Sequence, residues 1–373
     1  MFSPSVALSA ALLSASIGVA PAPASPAQDT LDRMTLPQQV GQLFMVGTPA
    51  DQVDRRTRSQ IRRLHVGNVM LTGRSHDGVR APARVSRTMQ GQVSEPATAG
   101  VRLFVATDQE GGLVRVLQGR GFSQIPTALE QGRWRPARLR TAADSWAGEL
   151  RRAGVNLNLA PVLDTVPSRR AAKHNPPIGV FDREFGYTPK VVTDHGLAFL
   201  RGMADGRVAT AVKHFPGLGR VRANTDTSAN VVDRVTRRRD PYLEPFRAAI
   251  EAGAPFVMMS TARYTRLDPK RPAAFSSYVV ERMLRGDLGF EGVVISDDLG
   301  GAQQVARIPQ AQRAARFVAA GGDVVLTVHP DTLPAMYRAV LARARQDDGF
   351  RARVEASALR VLTAKERQGL LGR

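Results

Sequence analysis

The 373-residue sequence contains no cysteine. That excludes disulfides, thiolate metal ligands, a cysteine nucleophile and a lipid-bearing amino-terminal cysteine. Aromatic residues are scarce at 6% and are not interleaved with basic runs, which argues against a nucleic-acid partner. Lysine is rare as well. Only Lys173, Lys190, Lys213, Lys270 and Lys365 occur, so the net charge of +19 comes almost wholly from scattered arginine. Such a surface is first of all solvated, and anionic wall polymers are the further partner class that it suits. No apolar run is long enough for stable insertion in a membrane. Lys213 lies in a glycine-rich stretch, but the GxxxxGK[ST] order of a phosphate loop is missing, and Pro216 removes a backbone donor.

What is present falls into two parts. Residues 1–30 hold an apolar, alanine- and serine-rich run from Val6 to Val19, followed by Ala20-Pro21-Ala22-Pro23-Ala24-Ser25-Pro26. The pattern fits a secretion signal with a small-residue cleavage site, although the first basic residue is only Arg33. A secreted or wall-associated protein is expected, with a disordered tail on a cytoplasmic protein as the alternative. Residues 31–373 carry eight apolar runs bounded by glycine, proline and polar residues. They start at Leu43, Val66, Leu103, Val155, Val208, Pro255, Val293 and Val324. Near-continuous hydrophobicity suits strands of a parallel sheet covered on both faces. Helical spacing separates them, as in Leu139, Ala143, Trp146, Leu150 and Ala153 before Gly154, and in the Asp240-Pro241 start signal. An α/β fold follows, a single (β/α)8 TIM-type barrel, expected to be monomeric. The long Ser75 to Gly100 and Gly119 to Arg138 segments read as loops with partial helix.

Chemistry-bearing residues cluster after the strands, where a barrel places its active site. The third run ends in Asp108-Gln109-Glu110-Gly111-Gly112, where a carboxylate and a close backbone can approach a hydroxylated ligand. The fifth run leads into Lys213-His214-Phe215-Pro216-Gly217-Leu218-Gly219 and then Asn224-Thr225-Asp226. Lys213 and His214 suit sugar hydroxyls or a carbonyl; the plainer reading is a buried Lys–Asp pair beside a packed histidine. Arg183 sits between Asp182 and Glu184, where a surface salt bridge is the plainer reading. The seventh run ends in Ser296-Asp297-Asp298. Adjacent strand residues point to opposite sides, so one carboxylate can face the pocket while the next is held in the wall. No histidine or cysteine has ligand-like spacing around them, so no metal site and no organic cofactor is expected.

As a set, Leu36 to Gly47, Asp108 to Gly112, Asn158 to Val162, the Lys213 loop, Ser296 to Asp298 and the Arg360 to Leu370 end resemble the bacterial β-N-acetylglucosaminidases of glycoside hydrolase family 3, over roughly residues 31 to 371. The resemblance implies a retaining glycoside hydrolase that releases terminal β-linked N-acetylglucosamine from wall-derived or chitin-type glycans. Asp297 matches the family's catalytic nucleophile. Asp108, Arg183, Lys213 and His214 match positions that hold the sugar. A family β-glucosidase or β-xylosidase, and a catalytically impaired wall-glycan-binding protein, are the alternatives.

Two departures stand out. Arg115 lies one residue earlier than the corresponding family arginine. More important, family members carry an Asp-Ser/Thr-His triplet whose histidine transfers the proton, and here those positions hold Asn224, Thr225 and Asp226. Leu218 stands where a second loop histidine is usual. Asp226 is the candidate acid/base, provided burial or Asp297 raises its pKa. Glu110 or Asp298 as donor, or a site that binds without efficient turnover, remain as other readings.

Overall fold

The computed structural model describes residue 2 and residues 25–372; the Val6 to Val19 run lies outside them. Each of the eight apolar runs contains a strand: β1 Phe44–Pro49, β2 Asn68–Thr72, β3 Phe104–Thr107, β4 Leu157–Asn158, β5 Ala209–Phe215, β6 Phe256–Met259, β7 Val293–Ser296 and β8 Val325–Thr327. All pairs in this sheet are parallel, in the order β7-β6-β5-β4-β3-β2-β1-β8. A parallel bridge between Ile295 and Val324, with the Ser296 amide donating to the Val324 carbonyl at 2.9 Å, joins the two ends. The expected (β/α)8 barrel is therefore the architecture observed.

Closure follows from which side chains alternate. Met45, Met70, Phe104, Ala106, Leu157, Leu159, Ala209, Ala211, Phe256, Met258, Val293 and Ile295 form one buried cluster. Their neighbours Phe44, Val46, Val69, Leu71, Val105, Val212, Val257, Val294 and Val325 belong to a second one, shared with the helices. Period-two alternation thus fills the barrel interior with one set and packs helices on the other. Phe104 and Phe256 meet edge to face at 5.2 Å inside the barrel.

The helices that matter below are α1 Arg80–Gln90, α2 Pro136–Arg152, α3 Pro189–Asp205, α4 Glu244–Glu251 and α5 Asp348–Arg367. The Leu139-to-Ala153 pattern is α2, ended by Gly154 at φ +77°. The Asp240-Pro241 signal opens a 3-10 turn that runs into α4, and the Asp240 carboxylate accepts the Tyr242 amide at 3.0 Å. The Ser75 to Gly100 segment is loop with partial helix, as expected: α1 occupies 11 residues of it and a short turn of helix spans Glu95–Thr98.

Helix α5 closes the amino-terminal end of the barrel. Val361, Ala364 and Leu370 join the interior cluster, and Lys365 is fully buried among them. Its ammonium donates to Gln42 Oε1 at 2.7 Å and the Gly67 carbonyl at 2.8 Å. No carboxylate offsets its desolvation, so burial drives the Lys365 pKa well down. Among the described residues, no helix is long and apolar enough to cross a membrane.

Candidate active site

Beyond the carboxyl ends of the strands lies a cavity of about 550 Å³. Asp108, Arg183, Lys213, His214, Asp226 and Asp297 all line it, so every catalytic and binding residue expected from the sequence converges on one pocket. Lys213 and His214 stand on the end of β5 itself, and the others arrive from the segments after β3, β4, β5 and β7.

Strand β5 delivers two consecutive residues to the same place because its register with β6 shifts between Val212 and Phe215. A register break releases Lys213 and His214 from strict alternation. Lys213 is buried and donates from Nζ to Asp108 Oδ1 at 2.6 Å; Glu110 Oε1 lies at the same distance. Burial lowers the Lys213 pKa, but Asp108 and Glu110 outweigh it, and the net shift is upward. The Lys–Asp pair of the plainer reading exists, and it lines the pocket floor.

Arg183 is not the surface salt bridge that its flanking acids suggested. It forms a fork with Glu110, Nε to Oε2 and Nη2 to Oε1, both at 2.8 Å, and donates from Nη1 to the Pro177 carbonyl at 2.7 Å. Burial opposes charge on Glu110, but Arg183 and Lys213 hold its pKa down at about 2. With both oxygens paired to Arg183 and Lys213 and its pKa held low, Glu110 is poorly placed to give a proton.

His214 is set by Asp164, which lies on the continuation of β4 and is fully buried. Asp164 Oδ2 accepts from His214 Nδ1 at 2.7 Å, while Oδ1 accepts the amides of His214 at 3.2 Å and Leu218 at 2.7 Å. The orientation leaves Nε2 as the ring nitrogen available to a ligand. Two glycines make this loop possible. Gly217 has φ +125°, and a Cβ on Gly219 would lie 2.0 Å from the Thr165 carbonyl oxygen. Leu218 is buried between them.

The two adjacent acids divide as their strand position implies. Asp298 accepts amides from Gly300 at 2.9 Å, Val328 at 3.0 Å and Gly301 at 2.9 Å, using both carboxylate oxygens. Burial raises its pKa and those three donors pull the other way. Burial prevails and the net shift is upward, while the three amides fix the carboxylate in the pocket wall. Asp297 accepts only the Asp298 amide, at Oδ1 and 2.9 Å; Oδ2 has no hydrogen-bond partner among the described residues.

Asp226 stands at the pocket mouth on a loop tied to the one that follows Asp297. The Gln303 amide donates to the Asp226 carbonyl at 3.1 Å and the Gln304 amide to that of Thr225 at 3.0 Å. Asn224 accepts the Asp226 amide on Oδ1 at 2.9 Å and so shapes the turn. Burial, then the charge of Asp297, pushes the Asp226 pKa up to about 6, against His214 and Arg183. The side chain is open to water. Solvent therefore weakens the push, and a sugar that excludes water strengthens it.

Three further features were not anticipated. Arg74 and His329 line the pocket, the latter just beyond β8. Leu113 and Phe181, 56% and 38% exposed, form an apolar part of its lining. Arg115, by contrast, points its guanidinium at the Ser123 carbonyl (3.2 Å) and Gln118 Oε1 (3.1 Å) and is absent from the lining.

A family model described as the glycosyl hydrolase family 3 N terminal domain matches residues 35–364. A β-hexosaminidase of Xanthomonas oryzae is 30% identical over an alignment of 314 residues that covers 81% of this chain and 88% of that protein. Among solved structures, a β-N-acetylhexosaminidase from Beutenbergia cavernae is 52% identical, with a TM-score of 0.89 over 89% of this chain and 99% of that one. A family 3 β-N-acetylglucosaminidase from a Paenibacillus species is 32% identical, with a TM-score of 0.83 over 91% of this chain and 64% of that one.

Proposed function

Given that the chain belongs to glycoside hydrolase family 3, we propose that it releases terminal β-linked N-acetylglucosamine from wall-derived or chitin-type glycans, with Asp297 as nucleophile and Asp226 as acid/base. One observation carries this reading: Asp226 and Asp297 line the same pocket as the fixed charges of Asp108, Lys213 and Arg183, and burial with the charge of Asp297 pushes the Asp226 pKa upward. Ionised Asp297 attacks the anomeric carbon while protonated Asp226 gives its proton to the departing glycosidic oxygen. The sugar is then an ester of Asp297. Asp226, now ionised, takes a proton from water as that water attacks the same carbon, which restores both carboxyls with net retention.

Asp108, Lys213, Arg183 and His214 Nε2 hold the sugar hydroxyls and carbonyl, and Leu113 with Phe181 takes apolar parts of the substrate. The Val6 to Val19 run supports an exported setting, where wall fragments are the accessible glycans. Turnover of aryl β-N-acetylglucosaminide against aryl β-glucoside tests the substrate. The acetamido sugar is expected to be preferred, and preference for glucoside would overturn the assignment.

The nature of the acid/base sets a second expectation. After donating its proton a histidine is neutral, whereas Asp226 is negative and repels an anionic acceptor. Like-charge juxtaposition costs several kcal/mol, so phosphate should intercept fewer than roughly one turnover in ten. Product analysis in phosphate buffer checks this. Glycosyl phosphate as the main product would contradict a carboxylate in that role.

A further inference from the structure

At the end of the barrel opposite the active site lies a second concavity of about 1010 Å³, beside the starts of β3, β4 and β5. Arg87, Arg102, Arg151, Arg207 and Arg367 line it, and no aspartate, glutamate or aromatic residue does. All five are exposed, and none is within ion-pair distance of a carboxylate among the described residues. Elsewhere the surface arginines often pair, as Arg140 does with Asp205, Arg238 with Asp287 and Arg351 with Glu355.

Part of this charge offsets helix dipoles. Arg87, Arg151 and Arg367 lie in the last turns of α1, α2 and α5, and the end of α3 contributes Ala204. Each helix end is worth about −0.5 charge, so four ends supply roughly −2 against five guanidinium groups. A surplus of positive charge remains. Arg102 and Arg207 are outside any helix. Arg207 holds φ +58° just past the end of α3, where glycine is the usual residue. An arginine in that conformation is unfavourable locally, and it extends the basic lining.

We propose that this bowl is a binding site for a phosphate-bearing oligoanion. Guanidinium forks match phosphate oxygens in pairs, and a concave array of them concentrates the field. The lining offers no ring on which a base could stack, so nucleic acid is the poorer fit. The site is independent of the catalytic assignment, since none of its residues lines the sugar pocket.

Calorimetric titration of the full chain with inorganic tripolyphosphate and with poly(glycerol phosphate) tests the proposal. Binding that weakens with salt is expected for at least one. Equal affinity per phosphate identifies a compact multiphosphate ligand; much tighter polymer binding identifies an extended phosphodiester. Arg102→Glu/Arg367→Glu should lower affinity by at least ~20-fold and Arg102→Gln/Arg367→Gln by less, both with unchanged aryl-glycoside hydrolysis as the check on folding. Arg55→Glu/Arg135→Glu, at exposed sites outside the bowl, should have little effect. No binding by the native chain, equal losses in the control pair, or equally tight binding of a single-stranded oligonucleotide would each overturn it.

Discussion

Asp297→Ala is expected to lower turnover by at least ~10⁴-fold, as loss of a covalent nucleophile does in other enzymes. The effect should fall on kcat for every aglycone, because no leaving group, however good, replaces the attacking carboxylate. Sugar affinity should change little, since Lys213, Arg183, Asp108 and His214 are held by one another and by Glu110 and Asp164. The variant has a second consequence. The charge of Asp297 is one cause of the raised Asp226 pKa, so Asp297→Asn should lower that pKa. A proton-sensitive infrared or NMR signal of Asp226 would read the shift. In the proposed mechanism the same coupling would serve the reaction: once Asp297 is esterified its charge is gone, the Asp226 pKa should fall, and ionised Asp226 would be ready to act as base.

Asp226→Asn is the second large effect, and its size should depend on the substrate. With alkyl or sugar aglycones, loss of acid assistance is expected to cost about 10²–10⁴ in rate. An activated dinitrophenyl glycoside leaves without help, so its bond cleavage should be much less affected. Hydrolysis of the intermediate then limits turnover, and azide, which needs no deprotonation, should restore it with formation of a β-glycosyl azide. In the native enzyme kcat/KM should fall as pH rises through about 6 if, as proposed, the protonated form of Asp226 is the active one. That limb should vanish in Asp226→Asn and persist in His329→Ala. Loss of the limb on changing His329 would move the proton to the histidine beyond β8.

The barrel was legible because parallel strands buried on both faces leave near-continuous apolar runs, and polar residues after those runs mark the catalytic end. Asp108, Lys213, His214 and Asp297 could be read that way. Glu110 could not be assigned, because its partner Arg183 is 73 positions away and only the fold brings them within 2.8 Å. Asp164 posed the same difficulty. Its contact with His214 spans 50 positions, and nothing local distinguishes it from a capping acid. Arg115 shows the converse, since a nearly matched spacing placed it close to the site while its own turn directed it elsewhere. Arg74 and His329 each stand shortly after a strand, and attention to every strand end, β2 and β8 included, would have found them.

A retaining mechanism in this pocket requires a covalent step at Asp297, with Asp226 proposed as the proton donor. Incubation with 5-fluoro-N-acetylglucosaminyl fluoride, followed by proteolysis and mass spectrometry, tests it directly. One fluorosugar on the peptide that carries Asp297, lost slowly on dilution, is the expected result. A folded, sugar-binding protein that takes no label, or a label on any other residue, would contradict it.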